Sequence, residues 1–456
     1  MARDVATRYH IPDGGSYGGQ LLGTGKLGSH GRWRIFGDPD QVTPGDREIL
    51  RQLGARKAEI AALAVHAERS EQWRRMNDLD PVKPMVWITE HPWHELNADG
   101  GLTLRTESEF ARDLEMELRQ TIYQWEHTPC DLIVEPEMYC PISFTDSGMG
   151  LAGDTDLAIT DRDNVIVSRH FHPVISGPDD LHLIQRPELA LDEERTERCF
   201  AVMSEIFDGV IPVIRRGLPG LGFSPWDELV RWTGIQEVLL DLALRPEYVH
   251  ALMEKLLDAY LYRLDQAEEL GLLASNNTNI RVGSGAYGHT TQLPEPKAAN
   301  VGVPLREMWG FSTAQLFGSV SPAMHYEFAL QYEIRWLERF GRNYYGCCEP
   351  LHDKIEVLEK IPNLGKISMS PWADLEVARE LMGERYVYSM KPNPSWMAGE
   401  GWDAEAFREE LRANLRILEG CAVEIPLKDI STVRRDPQRL WEWARVATEV
   451  AEEFST

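Results

Sequence analysis

The residues with the most chemical potential cluster at position 347. Cys347, Cys348 and Glu349 close a short stretch, Asn343 to Cys347, that reads as a β-strand. Side chains alternate faces along a strand, so this reading puts Tyr345, Cys347 and Glu349 on one face and Cys348 on the other. With that face turned to a site, Tyr345 is expected to contact substrate and Glu349 to act as an acid or base. Thiolate and carboxylate together suit zinc, which holds its cysteine ligands deprotonated. Cys347 and Cys348 are therefore candidate metal ligands. His289, in Gly288-His289-Thr290, or His352 could add a nitrogen. The competing reading makes buried cysteines small hydrophobes at a strand end.

Other reactive groups also fall at strand ends. Lys428 and Asp429 follow Val423 to Leu427, as an anion clamp or as a structural ion pair. Lys391 and Asn393 lie in the turn Lys391-Pro392-Asn393-Pro394, where they could hold substrate, or Lys391 could be solvated. Glu135 and Glu137 end Leu132-Ile133-Val134 and point the same way, as a carboxylate pair for acid–base work requires. The run Glu90-His91-Pro92-Trp93-His94-Glu95 packs four titratable groups around Trp93, itself a candidate substrate contact. A capped helix start on the surface explains that run equally well. Trp226, Trp309, Trp372 and Trp396 lie near strand ends and would suit a flat apolar ligand, although most tryptophans are core.

These groups need a scaffold, and the chain patterning supplies one. From Met85 to Phe454 short apolar runs alternate with amphipathic helical stretches and no hairpin signals intervene, apart from an irregular β excursion around Asn164 to Ser168. Strands are expected at Val210 to Ile214, Thr278 to Val282, Phe311 to Leu316, Asn343 to Cys347, Lys366 to Met369, Tyr386 to Met390 and Val423 to Leu427. That rhythm predicts parallel strands joined by crossover helices, and eight such units predict a closed (β/α)8 barrel of TIM type over residues 81–456. Residues 1–80 are expected to form an N-terminal arm, rich in Gly near Gly14 and Gly18, followed by a helical extension over 44–78. The 456 residues carry 73 acidic and 47 basic side chains, a formal net charge of -26, which argues against nucleic acid as a partner. No run is long enough to span a membrane, and six scattered cysteines suit reduced thiols in the cytoplasm.

From about residue 125 the order of motifs resembles the uroporphyrinogen decarboxylase-like superfamily. The resemblance is carried by Val210-Ile-Pro-Val-Ile214 through Trp226-Asp227, by Ser321-Pro322 with Tyr326-Glu327-Phe328, and by Gly365-Lys366-Ile367-Ser368-Met369 with Asp374-Leu375 and Gly383-Glu384-Arg385. It implies the barrel, and either decarboxylation or corrinoid-dependent methyl transfer. The zinc methyltransferases of that group carry His-x-Cys where this chain has Tyr345-Gly346-Cys347, and a second cysteine where it has Leu427-Lys428-Asp429. The leading expectation is a methyltransferase that moves a methyl group between a small substrate and cobalamin carried by a separate corrinoid protein, with zinc assisting. A decarboxylase or lyase using Glu135 or Glu137 with Lys428, and a non-catalytic tetrapyrrole- or partner-binding barrel, are the rivals. A homodimer is among the expected assemblies.

Overall fold

The computed structural model describes residues 37–158, 168–220, 222–296 and 301–455. The glycine-rich arm and most of the expected β excursion lie outside them. Eight strands pair in parallel: β1 (Met85–Ile88), β2 (Met138–Pro141), β3 (Val213–Arg216), β4 (Trp309–Ser312), β5 (Arg342–Tyr345), β6 (Leu364–Met369), β7 (Val387–Met390) and β8 (Val423–Leu427). Six form one sheet in the order β1-β8-β7-β6-β5-β4, and β2 pairs with β3 separately. β1, β4 and β6 to β8 are buried along their whole length, as strands of a sheet covered on both faces must be. Helices Leu375–Met382, Ala404–Ile417 and Gln438–Glu453 follow β6, β7 and β8.

The closed eight-stranded ring expected from the sequence is not formed by these ladders. The described residues give a mixed α/β fold with an open six-stranded parallel sheet. Isolated backbone contacts, not ladders, bridge the gaps on either side of the β2–β3 pair. The Asp131 amide donates to the Val86 carbonyl at 2.9 Å, and the Phe223 amide donates to the Phe311 carbonyl at 2.9 Å. Leu132 to Val134 forms no ladder, and the β7–β8 ladder stops at Glu424. Pro426 lies two residues on and has no N–H to continue it.

The segment Thr278 to Val282, expected as a strand, is a loop. Its backbone closes on its own turn instead of a neighbouring strand: the Val282 amide donates to the Ala286 carbonyl at 2.9 Å, and the Gly288 amide donates to the Thr278 carbonyl at 3.2 Å. Asn276 bonds both the amide and the carbonyl of Trp309, and Asn277 bonds Thr290. At its end, Gly283 to Gly288 folds against the sheet interior. A Cβ on Gly285 would lie 2.1 Å from Glu424 Oε1 and 2.5 Å from Tyr344 Cε2, so only glycine fits there.

At the centre of the sheet Lys366 on β6 meets Glu424 on β8 at 2.8 Å, both side chains fully buried. The pair is completed by backbone. The Ala286 amide donates to Glu424 at 3.1 Å, and Lys366 donates to the Tyr287 carbonyl at 2.8 Å. Before the sheet, two helices, Pro44–Ala61 and Val65–Asn77, cover the region read as an extension. Thr43 and Asp46 form a reciprocal cap at the first of them. The buried Asp46 carboxylate also accepts bonds from the Glu107 amide and the Ser108 hydroxyl, which ties this helix to Glu109–His127. No helix among the described residues is long and apolar enough to cross a membrane.

Removing one partner of a buried ion pair strands the other charge, at a cost of about 3–5 kcal/mol. Glu424→Gln is expected to lower unfolding stability by that order in urea titrations, and the double change Lys366→Met, Glu424→Met to recover most of it. A single variant as stable as the parent would show that the pair does not organise the interior.

Candidate active site

The carboxyl ends of β4 to β8 bring one polar cluster together. β5 ends at Tyr345, and Gly346 (φ 97°) turns the chain out of the sheet. A Cβ there would lie 2.4 Å from Leu351 Cδ1, so the left-handed turn and the crowding both require glycine. The turn is fastened at each polar atom. Ser284 donates to the Gly346 carbonyl at 2.9 Å, and Ser368 to the Cys347 carbonyl at 2.6 Å. The Cys347 amide donates to Glu349 Oε2 at 2.9 Å, and Thr313 donates to Glu349 Oε1 at 2.8 Å. Glu349 is buried and holds the cysteine turn in place, which makes it a scaffold for the site instead of the acid or base expected.

At the end of β8, Lys428 Nζ lies 3.3 Å from Cys347 Sγ, 3.5 Å from Cys348 Sγ and 2.8 Å from Asp429 Oδ2. The two sulfurs are 3.5 Å apart. The hydrogen bond from Cys348 draws the Cys347 thiol below its ordinary range, and Lys428 and Lys391 reinforce this against burial. Cys348 is driven the other way, by its bond to Cys347 and by burial. Its sulfur also lies 3.4 Å from Asp429 Oδ2, where a second negative charge is disfavoured. Thiolate character therefore belongs to Cys347. Burial works against the Lys428 charge, but Cys347, Asp429, Cys348 and Glu90 hold it well above its usual range.

Asp429 (φ 59°) sits in a left-handed turn, with its amide donating to Glu90 Oε2 at 2.9 Å. The other oxygen of Glu90 pairs with Arg281 at 3.1 Å. Lys391, expected at a turn, is buried, with its ammonium on Ser368 Oγ and 3.2 Å from the Tyr344 hydroxyl. Tyr344 also bonds Ser389 at 2.9 Å. On the opposite side of the mouth, Gln315 Nε2 donates to Asp227 Oδ2 at 2.7 Å. Burial first, then Cys347 and Glu349, push the Asp227 carboxyl up to about 7, against the bond from Gln315.

Several candidates lie elsewhere. Tyr345 is fully buried on the helix-facing side, its hydroxyl donating to Glu333 at 2.7 Å and lying 2.6 Å from His325 Nε2. Tyr344 takes the inward place, because the strand ends before the cysteines and the alternation does not carry across Gly346. His289 bonds Asn279 at 2.6 Å, and burial with nearby Lys366 pushes its imidazole down to about 4. Glu135 and Glu137 belong to a separate pocket with Lys57, Glu117 and Tyr139. Burial raises the Glu135 carboxyl there, and Glu137 accepts from Tyr139 at 2.8 Å. The structure does not bring either to Lys428. Asn393 accepts the Ser395 amide in a local turn, and Trp93 stacks on His91 and packs against Tyr123. Trp226 and Trp309 are buried core, and Trp372 is 68% exposed, so no flat aromatic face is assembled. Asp227, Glu90, Arg281, Tyr344 and Ser368 join the site by long-range contact. All five fell in segments that stood out in the sequence, but none of them was singled out there as a site residue.

Zinc does not fit the donor set as arranged. A metal would need the space between the two sulfurs that the Lys428 ammonium fills, and the described residues hold no group of three or more His, Cys, Asp or Glu placed to bind an ion. No family model and no curated protein matches the chain. Among solved structures it is similar to a methyltransferase from Methanosarcina mazei, with 12% identity, 85% of this chain and 99% of that chain covered, and a TM-score of 0.46. A likeness that distant bears on neither the fold nor the function.

Two measurements follow from this geometry. Iodoacetamide labelling of Cys347 is expected to titrate below the ordinary thiol midpoint of about 8.5, and Lys428→Met to move the midpoint upward. An unshifted midpoint in the parent protein would refute the thiolate assignment. Protein purified without chelator is expected to carry far less than one zinc per chain, and a stoichiometric zinc lost in Cys347→Ala would reverse the reading of the donor set.

Proposed function

We propose that this chain is a methyltransferase-type enzyme acting on a small substrate, with the Cys347 thiolate as the nucleophile that meets the methyl carbon. The reading rests on one observation, the 3.3 Å contact of Cys347 Sγ with Lys428 Nζ at the carboxyl end of a parallel strand. We read the eight parallel strands as a distorted (β/α)8 barrel, whose reactive groups belong at that end. Thiolates are strong nucleophiles once deprotonated, and an adjacent cation achieves that at neutral pH.

The residues act together in a simple way. Ser368, Ser284 and Glu349 fix the Cys347 backbone so that the sulfur faces the mouth. As the sulfur–carbon bond forms, the bond from the methyl carbon to the donor atom breaks and its electron pair leaves with the donor. The thiolate charge is consumed, but Lys428 keeps Asp429 as its counter-charge, which limits the electrostatic cost of the product state. The onward acceptor in this proposal is the corrinoid of a separate protein, which when bound supplies a cobalt centre able to take up methyl groups.

Mass spectrometry after incubation with a methyl donor tests the reading. A methyl adduct on Cys347 is expected, absent in Cys347→Ser and formed more slowly in Cys348→Ala, which removes the hydrogen bond that lowers the Cys347 thiol. Full methyl transfer by Cys347→Ser would sink it.

A further inference from the structure

We propose that Asp227 is the acid that protonates the departing oxygen of the methyl donor, so that the substrate is an O-methyl compound, an ether or an ester. This rests on the methyl-transfer reading above and names the substrate class for that site.

Asp227 is pinned to the site from both sides. It is the third residue of helix Pro225–Thr233, whose start is locked onto β4. The Phe223 amide donates to the Phe311 carbonyl at 2.9 Å, and the Ser312 hydroxyl to the Phe223 carbonyl at 2.6 Å. Beyond β4, Thr313 bonds Glu349, which in turn takes the Cys347 amide, while Gln315 bonds Asp227. One five-residue stretch thus positions the thiolate turn with one side chain and the Asp227 carboxyl with another. Asp227 follows β3 and Cys347 follows β5, and the residues just past β4 bond to both sides.

The surroundings suit a proton donor. Cys347, Glu349 and Glu228 face Asp227, and Glu333 and Tyr260 sense its charge from neighbouring helices. All five are acids. Arg231, on the same helix, lies 3.5 Å from Glu228. Among the described residues the Asp227 carboxyl takes a side-chain hydrogen bond from Gln315 alone, a neutral amide. Burial among acids holds the proton on Asp227 close to neutral pH, where a general acid is most effective.

The step balances. Cys347 sulfur attacks the methyl carbon, the S–C bond forms, and the C–O bond breaks with its electron pair going to oxygen. The Asp227 proton moves to that oxygen, leaving a carboxylate and a neutral alcohol, phenol or acid. A sulfonium or quaternary ammonium donor would leave as a neutral sulfide or amine, and an acid would have no role.

Single-turnover methylation of the full chain separates the cases, with 2-methoxyphenol and a simple methyl ester as oxygen donors, trimethylsulfonium as a charged donor, and methyl iodide as a donor whose leaving group needs no proton. Asp227→Asn is expected to slow transfer from the oxygen donors about 10²–10⁴-fold while leaving methylation of Cys347 by methyl iodide within about twofold, which also shows that the variant is folded. The parent rate with oxygen donors should fall as pH rises past neutrality, and the variant should lose that limb. Equal slowing of all donors, or of none, overturns the role of Asp227 and leaves the methyl-transfer reading intact. Transfer from trimethylsulfonium but from neither oxygen donor overturns the substrate class. Methylation of the parent by methyl iodide alone removes the methyl-transfer reading and this inference with it.

Discussion

The buried contact between Lys366 and Glu424 organises what surrounds it. Two charges at the middle of a sheet are tolerable only when every remaining donor and acceptor finds a partner, and most of those partners come from one loop. Glu424 takes the Ala286 amide, and Lys366 gives to the Tyr287 carbonyl. The same loop is held from outside by Asn77, which donates to the carbonyls of Tyr287 and His289. It also reaches the reactive turn, because Ser284 bonds the Gly346 carbonyl. A helix near the start of the described chain, the sheet interior and the cysteine turn are therefore coupled through one glycine-rich segment.

The site runs against the charge of the molecule. The chain carries a net -26, yet Lys428, Lys391 and Arg281 gather around one thiolate. Each cation has a defined acceptor: Asp429 with the sulfurs, Ser368 with Tyr344, and Glu90. Of these, Lys428 and Lys391 lower the Cys347 thiol. Across from it burial first, and then Cys347 and Glu349, push the Asp227 carboxyl up to about 7. Two groups on either side of one strand end are thus shifted in opposite directions by different surroundings.

Much of this was legible in the sequence. The alternation of short apolar runs with amphipathic helices marked the parallel strands, and β6, β7 and β8 fall where periodicity put them. Cys347, Lys428 and Asp429 were found because all three follow strands, and strand ends carry chemistry in such sheets. Their mutual contact spans 81 residues of chain and has no local signature. Tyr345 was placed on the wrong face because the strand was read through Gly346, and a left-handed residue ends the two-residue period. Thr278 to Val282 looked like a strand because its apolar residues alternate. It instead folds back on Ala286 to Gly288 through its own backbone bonds, a pairing that its apolar pattern does not mark. Ring closure was overread, since eight units in sequence do not dictate that every neighbour forms a full ladder.

The pairing of β1 with β8 carries a further meaning for how the protein assembles. Ile88 and Leu427 are register partners, so this ladder closes a loop of more than three hundred residues. Contacts so distant along the chain form late, because their closure entropy is met only after nearer elements are in place. Lys428 is the next residue after that ladder. During synthesis Cys347 emerges well before Lys428, one of the charges that lower its thiol. The surroundings of that sulfur are thus completed by the longest-range ladder of the sheet.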